Sequence, residues 1–185
     1  MFDLDNAELR SQILTYFMSS VMTDSERANL LNLPDGTRIR EGAKIISPEK
    51  LVMGMNNWIG ENAIIDASGG LEIGSNTSIG LSVFVWTHDS HKVNMTGENT
   101  RENSHKIVRN PTKIGDNCFI AGHSVIMPGV TIGDRCIIAP MSVVYKDLPD
   151  DTVYTPYRSF VQYEKRISKL ESVIDELKSQ LKNKD

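Results

Sequence analysis

Isoleucine, leucine or valine recurs at every sixth position through nearly half of this chain. The run starts at Ile59, Ile65 and Leu71 and resumes two residues out of phase at Ile73, Ile79 and Val85. After a break it returns at Ile114, Ile120, Ile126, Ile132, Ile138 and Val144. A period of six suits neither an amphipathic helix nor a flat half-buried sheet. It suits a three-faced coil in which each short face turns one aliphatic side chain inward and stacked coils share one core. Small or turn-forming residues follow the aliphatic positions, as in Ile59-Gly60, Ile79-Gly80, Ile120-Ala121 and Ile132-Gly133. They supply the corners such a coil needs.

Three segments fall outside the rhythm. In residues 1–36, Leu9, Ile13 and Phe17 recur at helical spacing, and a second short helix is expected after Thr23 or Asp24. These helices are expected to cap the open first coil. The stretch 88–111 is polar, holds three of the four histidines, and is expected to project from one edge as a long loop. In residues 159–185, Phe160, Tyr163, Ile167, Leu170, Ile174, Leu177 and Leu181 alternate spacings of three and four, the a and d positions of a heptad. Val173 at g widens the seam, and Arg166 at g faces Glu171 at e of a parallel neighbour. The tail is expected to form a parallel, trimeric coiled coil; packing on its own solenoid, or binding a partner protein, are the alternatives.

The predicted organisation is a helical cap over 1–36, a mainly β solenoid over 37–158 and a heptad helix over 159–185. A chain of 185 residues is long enough for one such core. Its net charge of −4, without a long basic run, argues against nucleic-acid binding. No apolar stretch approaches the roughly 20 residues of a membrane span. No signal peptide is evident at the N-terminus, so a cytoplasmic location is expected. Cys118 and Cys136 stand 18 residues apart, three hexads, and read as small core residues in neighbouring coils rather than a disulfide.

The hexads, together with Trp86-Thr87-His88-Asp89-Ser90-His91 at the break and Ser142-Val143-Val144-Tyr145-Lys146-Asp147 near the end, resemble the hexapeptide-repeat acetyltransferases. Among them the chain looks most like the bacterial sugar and polysaccharide O-acetyltransferases, such as the galactoside and maltose enzymes. The resemblance implies a left-handed parallel β-helix, a homotrimer, acetyl-CoA as donor, no metal, and active sites between subunits. It implies transfer to a hydroxyl of a carbohydrate acceptor; with Cys118 and Cys136 read as buried, direct transfer without an acyl-cysteine is expected. Residue by residue, it puts the catalytic histidine on His88, with His91 as rival and Asp89 or Asp66 as the group that orients the imidazole. Cofactor contacts fall on Phe119, on Ala121 and Gly122 (whose amide would serve the oxyanion), on Pro140, and on Tyr145 and Lys146. The closing segment Tyr154-Thr155-Pro156-Tyr157-Arg158 departs from the family's pattern, with Arg158 as its cofactor contact. Acceptor contacts fall on Asp66 and Trp86. Three other functions share the solenoid: N-acetylation of an amino sugar, a zinc γ-type carbonic anhydrase, and a non-catalytic trimeric scaffold.

Overall fold

An inward aliphatic residue every sixth position is satisfied when each face contributes one short strand per turn, and that is the observed architecture. A computed structural model describes residues 21–99 and 102–182, with backbone only for 157–162, 181 and 182. The first face stacks β1 (Arg38–Ile39), β4 (Trp58–Ile59), β7 (Ser78–Ile79), β12 (Phe119–Ile120), β15 (Ile137–Ile138) and β17 (Val153–Tyr154). The second stacks β2 (Lys44–Ile46), β5 (Ile64–Asp66), β8 (Phe84–Val85), β13 (Val125–Ile126) and β16 (Val143–Val144). The third stacks β3 (Leu51–Met53), β6 (Leu71–Ile73), β11 (Thr112–Ile114) and β14 (Thr131–Ile132), prolonged by a bridge from Ile132 to Leu148. All of these pairings are parallel, so the chain is a parallel β-helix.

The register places aliphatic on aliphatic. Ile39 pairs with Ile59, Ile59 with Ile79, Ile79 with Ile120 and Ile120 with Ile138. Ile45, Ile65, Val85, Ile126 and Val144 form the second column. Ile59, Ile65, Ile120, Ile126, Ile138 and Val144 are wholly buried. Each such burial is worth about 1.5–3 kcal/mol. The two-residue phase shift in the sequence has a structural cause. In β6 both Leu71 and Ile73 point inward around an exposed Glu72, so the early coils carry a wider third face.

Non-glycine residues take left-handed angles at the corners. Asn56, Asn62, Asn76 and Asn117 suit this role, while Arg135 and Met141 suit it less. Arg135 is held there by two hydrogen bonds to the Asp151 carboxylate, of 2.6 and 2.9 Å. The helix α1 (Asp24–Leu30) opens on a capping box: the Thr23 amide donates to Glu26 Oε2 at 2.7 Å, and the Glu26 amide donates back to Thr23 Oγ1. It packs on β1 and buries Ala28 in the core. The helix expected from Leu9, Ile13 and Phe17 lies outside the described residues.

The segment 88–111 is more ordered than a projecting loop. Its arms pair antiparallel as β9 (His88–Asp89) and β10 (Val108–Arg109), with the short helix α2 (His91–Met95) between them. The last described element is α3 (Pro156–Lys182), which starts one residue after β17. Every described side chain of α3 from Tyr163 to Gln180 is exposed, so the helix does not lie along the solenoid.

Candidate active site

Strand alternation continues past the end of β8. Val83, Val85 and Thr87 are buried, and Phe84, Trp86 and His88 face outward between them. Phe84 and Trp86 stack with centroids 6.0 Å apart, and Trp86 meets the His88 ring edge-on at 6.2 Å. His88 sits at the corner between the second and third faces, where the insertion leaves the coil. Its side chain is 31% exposed.

Directly against it lies Asp66, with no solvent-accessible surface. Asp66 Oδ2 accepts from His88 Nδ1 at 2.7 Å, from the Thr87 amide at 3.0 Å and from Thr87 Oγ1 at 2.9 Å. Oδ1 accepts from the Ser68 amide at 3.0 Å. Thr87 Oγ1 in turn accepts from the Gly69 amide at 2.8 Å, and Ser68 Oγ lies 3.1 Å from His88 Nδ1. Burial by itself raises a carboxyl pKa. Here the hydrogen bonds from Thr87, Ser68 and His88 outweigh it and lower Asp66 from 3.8 to about 2. An ionised, acceptor-only carboxylate fixes the imidazole proton on Nδ1. Nε2 is then left with its lone pair directed away from Asp66.

This geometry decides between two expectations for Asp66, contact with the acceptor and orientation of the imidazole. A wholly buried carboxylate committed to three neighbouring residues has no face to offer a sugar. Its place is behind the imidazole. Asp89 does not share that place: its carboxylate accepts from the His91 amide at 2.9 Å and pairs with the His91 ring. Those contacts, the His91 amide first, hold the Asp89 pKa below its usual value. His91 therefore turns to Asp89 and not to His88. Ser68 and Thr87 are members of the cluster to which the sequence alone gave no role. The signal for Ser68 was Asp66-Ala67-Ser68 before two glycines, the pattern of an Asx turn.

The expected cofactor residues are spread over the first face, two corners of the prism and α3. Phe119 is half exposed on the first face. Ala121 and Gly122 form the corner between the first and second faces, and Pro140 takes that corner one coil on. The Gly122 carbonyl accepts from the Met141 amide at 3.1 Å, while the Gly122 N–H has no acceptor among the described residues. Tyr145 and Lys146 are exposed at the corner that also carries His88. Arg158 lies in α3, with its side chain outside the described residues. Within one chain, then, His88 and Gly122 stand at opposite ends of the second face.

Gly80 underlies Gly122. A Cβ on Gly80 would fall 2.7 Å from the Gly122 nitrogen and 2.8 Å from the Ile120 carbonyl. Gly80→Ala is therefore expected to cost about 1–3 kcal/mol, read as a lower denaturation midpoint with an unchanged slope. A variant as stable as the parent would show that this corner relaxes freely.

Cys118 and Cys136 are free and buried, and donate to the carbonyls of Gly133 and Pro149 at 3.1 and 3.2 Å. Burial pushes the Cys118 thiol above its usual range, away from the reactive thiolate. Among the described residues no three His, Cys, Asp or Glu side chains converge as a metal-binding group. No described helix is long and apolar enough to cross a membrane.

Residues 111–146 match the bacterial transferase hexapeptide family (six repeats). No curated protein matches the chain. Several solved structures are similar. One is a hexapeptide-repeat-containing acetyltransferase from Vibrio cholerae complexed with acetyl coenzyme A, at 26% identity over 82% of this chain and 86% of that one, TM-score 0.58. Another is a galactoside acetyltransferase in complex with coenzyme A, at 28% identity over 78% and 74%, TM-score 0.57. A third is a maltose O-acetyltransferase from Clostridium difficile 630, at 25% identity over 78% of each chain, TM-score 0.55.

Proposed function

We propose, for a chain that carries the hexapeptide repeat on the coil of solved acetyltransferases, an acetyl-CoA-dependent acetyltransferase whose acceptor is a sugar hydroxyl. The observation that carries this reading is the buried Asp66 carboxylate tied to His88 Nδ1, with Nε2 free at the mouth of the insertion. Nε2 takes the proton of the attacking hydroxyl as the oxygen bonds to the thioester carbonyl carbon. The Gly122 N–H donates to the oxyanion that forms. Collapse breaks the carbon–sulfur bond, and the imidazolium returns the proton to the departing thiolate. No covalent acyl-enzyme is needed, consistent with two cysteines that are buried and whose thiols are engaged.

Because His88 and Gly122 occupy different corners of one prism, one chain does not assemble both halves of this apparatus. A homotrimer of side-by-side solenoids sets the His88 corner of one subunit against the Gly122 corner of the next. Exposed apolar side chains support such packing: Phe119, Ile137 and Val153 form a ladder on the first face, and Val143 stands exposed on the second. Trp86, beside the imidazole, is the acceptor platform, since an aromatic face packs well on a sugar ring.

The first test needs no acceptor. Acetyl-CoA at about 100 times its dissociation constant is expected to stabilise the protein by roughly 2.7 kcal/mol, read as a rise in unfolding temperature. A protein of confirmed trimeric mass that shows no shift at millimolar acetyl-CoA would overturn the reading in favour of a scaffold.

A further inference from the structure

α3 extends for 27 residues, about 40 Å at 1.5 Å per residue. From Tyr163 to Gln180 its side chains are all exposed. Tyr163, Ile167, Leu170, Ile174 and Leu177 run along one side and are 48–63% exposed. An isolated helix with such a stripe in water is marginal, because packing of the apolar face supplies most of a helix's stability. Among the described residues nothing covers that stripe.

The stripe says what covers it. Its spacing alternates four and three, a period of 3.5, which is the narrow seam that meets another helix of the same kind. A helix that packs on a globular surface presents a wider face of period 3.6. Arg166 at g lies opposite Glu171 at e of a copy running the same way, so parallel pairing in register joins opposite charges. The start of the helix decides direction again. Only Thr155 separates it from β17, so an antiparallel partner would leave the two solenoids at opposite ends of the rod. A parallel one brings them side by side. Val173, at g beside the seam and 44% exposed, adds apolar width that a third helix covers.

We infer that α3 joins three copies of this chain in a parallel, in-register coiled coil that clamps the solenoids together and so closes the divided site. The inference rests on the functional reading above only for the site it closes; the coil itself stands on the helix. The test uses the full chain. Sedimentation equilibrium is expected to give the mass of three chains. Ile167→Asn with Ile174→Asn is expected to raise the dissociation constant at least tenfold while leaving the β-type circular dichroism intact. Ser172→Asn, at f and off the seam, is expected to change neither. Fluorophores on Ser179→Cys, which label selectively because Cys118 and Cys136 are buried, are expected to transfer energy efficiently within the trimer. A monomeric or dimeric parent, a double variant that associates as tightly as the parent, or labels held a rod length apart would each overturn the coil. A trimer that ignores acetyl-CoA leaves the coil standing and removes only the enzymatic reading.

Discussion

Alanine in place of His88 is expected to lower turnover by about 10²–10⁴, the usual contribution of a positioned general base. The same variant is expected to keep its affinity for acetyl-CoA, because the His88 side chain bonds to Asp66 and Ser68 and to none of the expected coenzyme contacts. Stability should change little: the imidazole is 31% exposed, and its loss leaves the Asp66 carboxylate still satisfied by Thr87 and Ser68. Coenzyme A release with a sugar acceptor reads the first effect, and the acetyl-CoA-induced rise in unfolding temperature reads the second. His91→Ala is the matched control. Its ring is held by Asp89 on the exposed side of the hairpin, so turnover near that of the parent is expected. If His88→Ala turned over like the parent, or His91→Ala lost as much, the base would not be His88.

The solenoid was legible because its core admits almost no choice: an inward position with one slot per face must be aliphatic, and the rhythm follows. The corners were legible for a related reason, since Asn and Gly are the residues that take left-handed angles at least cost. The contact that makes the site was legible only as one of two options, since Asp66 and Asp89 both stood as candidates to orient His88. The hexads imply a coil of 18 residues, which sets Asp66 beneath Phe84. The early coils are longer because β6 carries two inward residues, so Asp66 meets positions 21 and 22 residues further on, Thr87 and His88. A small change in coil length thus decides between the two places expected for Asp66 and sets its carboxylate on the histidine's side. The tail divided the same way. Its heptad was legible, but whether the seam packs on its own solenoid depends on the direction in which β17 hands over to α3.

Asp66→Asn tests that longer coil through both folding and chemistry. The substitution preserves shape and removes the charge. Oδ2 accepts three donors, the Thr87 amide, the Thr87 hydroxyl and His88 Nδ1–H. An asparagine turned to offer its NH2 there sets donor against donor; turned the other way, it sets that NH2 against the Ser68 amide. Either orientation strands a buried polar group, at about 1–3 kcal/mol. The pKa gives a similar scale. A carboxyl lowered from 3.8 to about 2 contributes roughly 2 kcal/mol once screening near the open His88 ring is allowed for. The folded pKa is depressed, so this stability is complete above the unfolded pKa and lost as pH falls through the folded one. Denaturant midpoints of parent and variant should therefore differ most at pH 5–7 and converge between about pH 4 and pH 2. Turnover at neutral pH should fall by about 10²–10⁴, since without a carboxylate on Nδ1 the ring is free to carry its proton on Nε2, where it cannot accept one. Acetyl-CoA affinity should be unchanged. A variant that lost the stability but kept its turnover would make Asp66 a structural residue of the corner. The parent's turnover would then have to come from an imidazole that needs no anchor.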